Sequence, residues 1–204
     1  MAQSKPFSSK KQYRNDVIES FRKSIIDARV AKENPSRKRS SLERLAESIE
    51  QIYGSSQDSA PDFFRILQNI IYQHHGTGVD KAMAIAKAFN RSLGSMLPSI
   101  YSLDDSAQTL LQKKESESEA ESLRQYIAQS IILATEKRNM SLAKLGKLTC
   151  LSPVTINDAV SVRSKKTLNI STLWIIANAL QLPVDYFVPT QDSLIPIVPF
   201  PSSD

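Results

Sequence analysis

Apolar residues in this chain recur every three or four positions in short runs, and a proline, a glycine or a capping side chain cuts each run. That period belongs to one face of an α-helix, and the cuts keep the helices short. Val17, Ile18, Phe21, Ile25 and Ile26 form the first stripe, in a helix predicted from Asn15. Asn34-Pro35-Ser36 ends it, because a residue before proline avoids helical angles. Ser41 reads as the N-cap of a second helix, with Leu42, Leu45, Ala46 and Ile49. After the break Gly54-Ser55-Ser56, Pro61 suits the first position of a third helix over 62–72. A fourth helix is predicted over 79–89, and a short one over 93–97 is closed by Pro98. In the second half, helices are predicted over 123–137, 142–148, 154–160 and 170–180. Ser141, Ser152-Pro153 and Asn169 open the last three, and a short turn spans 183–187. Strand-period alternation is absent, so the expected class is all-α.

Composition sets the outer bounds. An apolar content of 41% and a mean hydropathy of -0.28 exclude a wholly disordered chain. No apolar run approaches the ~18–20 residues of a membrane span, and the first residues lack the apolar stretch of a signal peptide. One cysteine, Cys150, excludes an intramolecular disulfide and a Cys-rich zinc site, which fits a reducing cytoplasm. Charge is unevenly spread. Residues 1–40 hold 11 Lys/Arg against 4 Asp/Glu, and residues 122–188 hold 8 against 3. Between them, residues 104–121 hold 2 against 6. Two basic blocks favour a polyanionic partner, although a solvated surface also accounts for such blocks. The expected organisation is a basic arm (1–13), a helical domain (14–103), an acidic linker or helix (104–122), a second helical domain (123–188) and an extended Pro-rich tail (189–204).

The helices over 142–148 and 154–160 are separated by Thr149-Cys150-Leu151 and the cap Ser152, which is the layout of a helix-turn-helix. Ser141 with Leu145-Gly146, Cys150-Leu151-Ser152, Thr155-Ile156, Leu173 with Ile176-Ala177-Asn178-Ala179-Leu180, and Tyr186-Phe187 resemble the lambda-repressor-like (Xre-type) family over residues 123–188. The chain departs from the family pattern in four places. Gly146 stands for an alanine, Cys150 for the turn glycine, Leu142 for a glutamine that often reaches DNA, and Val160 for an acidic residue usual late in the third helix. The first half repeats the rhythm more loosely. Ser41 with Leu45-Ala46, Ile85-Ala86-Lys87-Ala88-Phe89 and Met96-Leu97 match the same landmarks. A divergent internal repeat is the reading; a generic bundle sharing an Ile-Ala-x-Ala motif is the alternative.

The resemblance implies a sequence-specific double-stranded DNA-binding regulator, a repressor of bacterial, plasmid or phage origin. A helix ~10–12 Å across fits a major groove ~12 Å wide. The base-reading candidates are Ser152, Pro153, Thr155, Asn157 and Asp158, with Arg65, Gln68 and Asn69 in the first half. Asn157 suits adenine, Asp158 cytosine, Thr155 a thymine methyl or a phosphate, Arg65 guanine and Gln68 adenine. Val154 and Ile156 are assigned to the core. Arg163, Ser164, Lys165 and Lys166 follow the reading helix. With Ser141, Lys32, Arg37, Lys38 and Arg39 they are the phosphate candidates. Each of these residues also fits a solvated surface. Lys5, Lys10, Lys11 and Arg14 suit a minor-groove arm or a solubilising tail. His74-His75 is read as loop, since adjacent histidines on a helix diverge and no third histidine exists. No phosphate-cradling glycine loop, HExxH or nucleophile elbow is present, so neither catalysis nor a cofactor is expected. A homodimer is expected, held in part by Leu194 to Phe200, which are too apolar to leave in water. Docking of that tail on its own domain competes with this. The alternative function is an antitoxin or protein-interaction module whose tail occupies a protein partner.

Overall fold

A computed structural model describes residues 10–31, 41–53, 61–99, 122–164 and 167–189. Most of these residues are helical, as the periodicity predicts. The first half contains α1 (Lys10–Ala31), α2 (Ser41–Tyr53), α3 (Phe63–Gln73), α4 (Val79–Ala88) and a 3-10 turn, Gly94–Met96. The second contains α5 (Leu123–Lys137), α6 (Leu142–Thr149), α7 (Pro153–Val160), α8 (Ile170–Ala179) and a 3-10 turn, Val184–Tyr186. Among the described residues, no helix is long and apolar enough to cross a membrane. The acidic stretch 104–121 and the tail beyond residue 189 lie outside the described residues.

Local chemistry sets most helix starts. The side chains of Ser122, Ser141 and Ser152 each accept a hydrogen bond from the backbone N–H three residues on, and Asn169 Oδ1 accepts from Ser171 N. Each bond satisfies a donor that a helix N-terminus would leave unpaired. The third helix departs from expectation. Asp62, not Pro61, is its boundary, with the carboxylate accepting from Arg65 N at 2.9 Å. An aspartate cap supplies the missing acceptor, whereas proline supplies none, so Pro61 sits just outside.

The basic arm is also shorter than expected. α1 begins at Lys10, five residues before Asn15. Tyr13 stacks on Trp174 of α8, with ring centroids 6.1 Å apart. A packed aromatic offsets the entropy of ordering another turn, and nothing near Tyr13 in sequence announces that partner.

The halves share one helix arrangement. In each, the first helix packs on the third, and the second packs on the third and fourth. From the fourth helix onward the correspondence runs at a constant offset of 91 residues. Leu180 N→Ile176 O repeats Phe89 N→Ile85 O, and Leu182 N→Ala177 O repeats Arg91 N→Ala86 O. Asn90 and Gln181 occupy the same left-handed backbone position, at φ 56° and 52°. The halves are in direct contact, and their buried side chains belong to one core. Trp174, the single tryptophan, lies at this seam and donates from Nε1 to Pro98 O at 2.9 Å.

Candidate nucleic-acid interface

The turn between α6 and α7 is built from the end of one helix and the cap of the next. Thr149 Oγ1 donates back to Leu145 O at 2.8 Å. Cys150 then takes the left-handed conformation, φ 52° and ψ 25°. That region costs a non-glycine residue roughly 1–2 kcal/mol. Leu151 turns inward and is buried, anchoring the turn. Ser152 Oγ accepts from Thr155 N at 3.1 Å, and Pro153 fills the first helical position, where a missing N–H is harmless.

On α7, Ile156 and Ala159 are buried and Val160 packs partly against the core. With 3.6 residues per turn, these positions form one face. Pro153, Val154, Asn157 and Asp158 lie exposed on the other side. The expected core placement of Val154 is therefore wrong: it is 70% exposed. Two residues of helix separate Val154 from Ile156 by about 200°, so both cannot face inward. Of the base candidates, Asn157 presents its amide freely to solvent. Thr155 is half-buried and its hydroxyl lies 2.8 Å from Ser152 Oγ, which ties it to the cap.

Asp158 faces a neighbour that the sequence did not announce. Arg124, on α5, is partly buried and its Nε and Nη1 have no hydrogen-bond partner among the described residues. Burial pulls its guanidinium below the ordinary arginine value, and attraction to the Asp158 carboxylate opposes that shift. Asp158 thus contributes a favourable field at Arg124, which competes with accepting from a cytosine. No spacing rule links positions 124 and 158; only the packing of α5 on α7 joins them.

The phosphate candidates divide. Ser141 is exposed at the start of α6, and its hydroxyl accepts from Lys144 N at 3.2 Å. Lys144 and Lys147 continue that exposed face at three-residue spacing. Sequence reasoning missed both, although that spacing was the available signal. Arg163 is exposed and Ser164 half-buried in the loop after α7, beside the exposed Val162. Lys165, Lys166, Lys32, Arg37, Lys38 and Arg39 lie outside the described residues. Together, α6, α7 and the following loop bring Ser141, Lys144, Lys147, Ser152, Asn157 and Arg163 to the surface of one half.

The corresponding surface of the first half has a different character. Arg65 is exposed on α3, while Gln68 and Asn69 are half-buried. Phe63 is fully buried, Phe64 packs partly against the core, and Tyr72 is 65% exposed. His74 closes α3 in the left-handed conformation, with Nδ1 3.1 Å from Glu19 Oε2. Behind α3, Tyr53 donates to Asp80 Oδ2 at 3.1 Å. Asp80 is only 5% exposed, and burial beside it pushes the Tyr53 phenol above its ordinary value.

Comparison with known proteins finds no matching family model, no matching curated protein and no matching solved structure, so the geometry and the motif carry the functional reading between them.

Proposed function

We propose that this chain is a sequence-specific double-stranded DNA-binding regulator of the helix-turn-helix type, acting as a transcriptional repressor in the cytoplasm. The observation that supports it most is the exposed face of α7. This short capped helix holds Ile156 and Ala159 in the core and turns Pro153, Val154, Asn157 and Asp158 outward. Amide and methyl groups on the outer side of a short helix suit base edges in a major groove, with Asn157 pairing bidentately with adenine. Val154 adds an apolar contact for a thymine methyl. Lys144, Lys147 and Arg163 flank the helix and suit phosphates, which set register rather than sequence. In sequence, Lys165 and Lys166 follow Arg163 within three residues and carry further positive charge.

A gel shift with the DNA upstream of the chain's own gene tests the reading. Binding should weaken steeply between about 50 and 200 mM salt. Asn157→Ala should cost ~1–3 kcal/mol of discrimination while leaving non-specific binding intact. Absence of any salt-dependent binding overturns the proposal. The exposed side chains of Leu148, Val154 and Val162 favour a second reading, in which this face docks a protein as an antitoxin would. Co-purification with a neighbouring gene's product, lost on Val154→Glu without DNA binding being present, would select it.

A further inference from the structure

We infer that one chain acts as its own two-fold dimer, reading two unlike half-sites in inverted orientation. The inference rests on the DNA reading above and adds the stoichiometry and the form of the target.

The geometry begins at the caps of the two fourth helices. Gly78 and Asn169, the N-caps of α4 and α8, pair as an isolated antiparallel bridge. Val79 N donates to Leu168 O at 2.8 Å, and Ile170 N donates to Thr77 O at 3.1 Å. At the offset of 91 residues, Val79 corresponds to Ile170 and Thr77 to Leu168. Each bond is thus the other's image, which is the signature of a local two-fold axis through the bridge. A second contact marks the same axis. Gly94 N donates to Asp185 Oδ1 at 2.8 Å, and these two residues also correspond at offset 91. Two pairs of equivalent residues, each touching its own counterpart, define a line. A half-turn about that line relates α4 and the turn after it to α8 and the turn after it, and by extension the two helical units that share one helix arrangement.

The pairing is built for unlike partners. A methyl group at Gly94 would lie 2.5 Å from Asp185 Oδ2, so the carboxylate occupies the space that glycine leaves open. At Gly78 an added carbon would lie 2.5 Å from Asp80 Oδ1 and 2.8 Å from Thr167 Cγ2. Two copies of the second half meeting through this patch would set Asp185 against Asp185. Two copies of the first would leave the Gly94 N–H without its acceptor. The surface that could pair two chains is therefore already occupied within one. The chain supplies internally the doubling that the sequence assigns to a homodimer.

A two-fold rotation carries the exposed face of α7 onto the corresponding face of α3. Protein two-fold symmetry is mirrored in inverted DNA half-sites. Here the faces differ, with Asn157 on α7 and Arg65 on α3. The target is accordingly an inverted pair whose halves differ, rather than a palindrome.

Selection of bound duplexes from a random library, using the full chain, tests this. The expected product holds two dissimilar half-sites at fixed spacing, and native mass spectrometry should count one chain per duplex. Arg65→Ala should lower base discrimination in one half-site, and Asn157→Ala in the other, by roughly 5- to 150-fold each. Free protein at micromolar concentration should sediment as a monomer. Two chains on a symmetric palindrome, or a sedimenting dimer, overturns the inference and leaves DNA binding standing. So does one half-site alone, indifferent to Arg65→Ala. Recovery of no enriched sequence and no salt-dependent binding overturns the DNA reading itself, and this inference with it.

Discussion

Replacing Tyr13 with alanine removes the ring that stacks on Trp174 and leaves the rest of α1 in place. Three terms set the size of the effect. An aromatic pair is worth ~0.5–1.5 kcal/mol beyond its buried area. Tyr13 is half-buried, so losing its ring forfeits about half of the ~1.5–3 kcal/mol that full burial of a large side chain is worth. Alanine recovers about 0.5 kcal/mol through its higher helix propensity. The net loss is about 2 kcal/mol. With a urea slope of about 2 kcal/mol/M, the unfolding midpoint should fall by about 1 M. Trp174 is the only tryptophan, and it lies at the seam between the halves, so its fluorescence reports the seam while circular dichroism reports all helices. In the parent protein the two transitions should coincide, because both halves share one core. In Tyr13→Ala both should move together and the native emission should shift to the red. A midpoint and an emission maximum both unchanged would refute the packing of α1 on α8.

Four further outcomes follow from single sites. Gly146→Ala should stabilise the protein by ~0.4–1 kcal/mol, because an added methyl meets only Leu151 O at 3.6 Å and Ile156 Cγ1 at 3.7 Å; thermal unfolding reads this. Ser152→Ala should cost ~1 kcal/mol in urea titration, since its hydroxyl caps α7, and should weaken DNA binding by loosening that helix. Tyr53→Phe should cost ~1.5–3 kcal/mol at neutral pH, because it strips a donor from the buried Asp80 carboxylate. The Tyr53 phenol is raised, so its contribution is whole below about pH 10, where unfolded tyrosine ionises, and fades as pH rises toward the folded value. Urea midpoints should therefore drop above about pH 10 in the parent and less so in Tyr53→Phe. Arg163→Ala should lower the slope of log affinity against log salt by about 0.9 without changing base preference; an unchanged slope places this side chain away from phosphate.

The capped starts of α6, α7 and α8 were legible at Ser141, Ser152 and Asn169, because a cap is a contact between residues two or three apart. The inward face of α7 was legible only in part: Ile156 is buried as assigned, Val154 is not, and Ala159 completes the face instead. The repeat was half legible: Ile85-Ala86 and Ile176-Ala177 matched, but nothing in the string set the units about an axis. What the sequence determined alone was the local part: which segments are helical and where most of them begin. Only the tertiary structure decided the rest. It extended α1 to Lys10 by seating Tyr13 on Trp174, set Arg124 within the electrostatic reach of Asp158, exposed Val154, and brought Gly78 to Asn169 and Gly94 to Asp185. The physical reason is the same in each case. A helix start depends on backbone groups within one turn, whereas these contacts join positions tens of residues apart, where only the packing of both halves determines which surfaces meet.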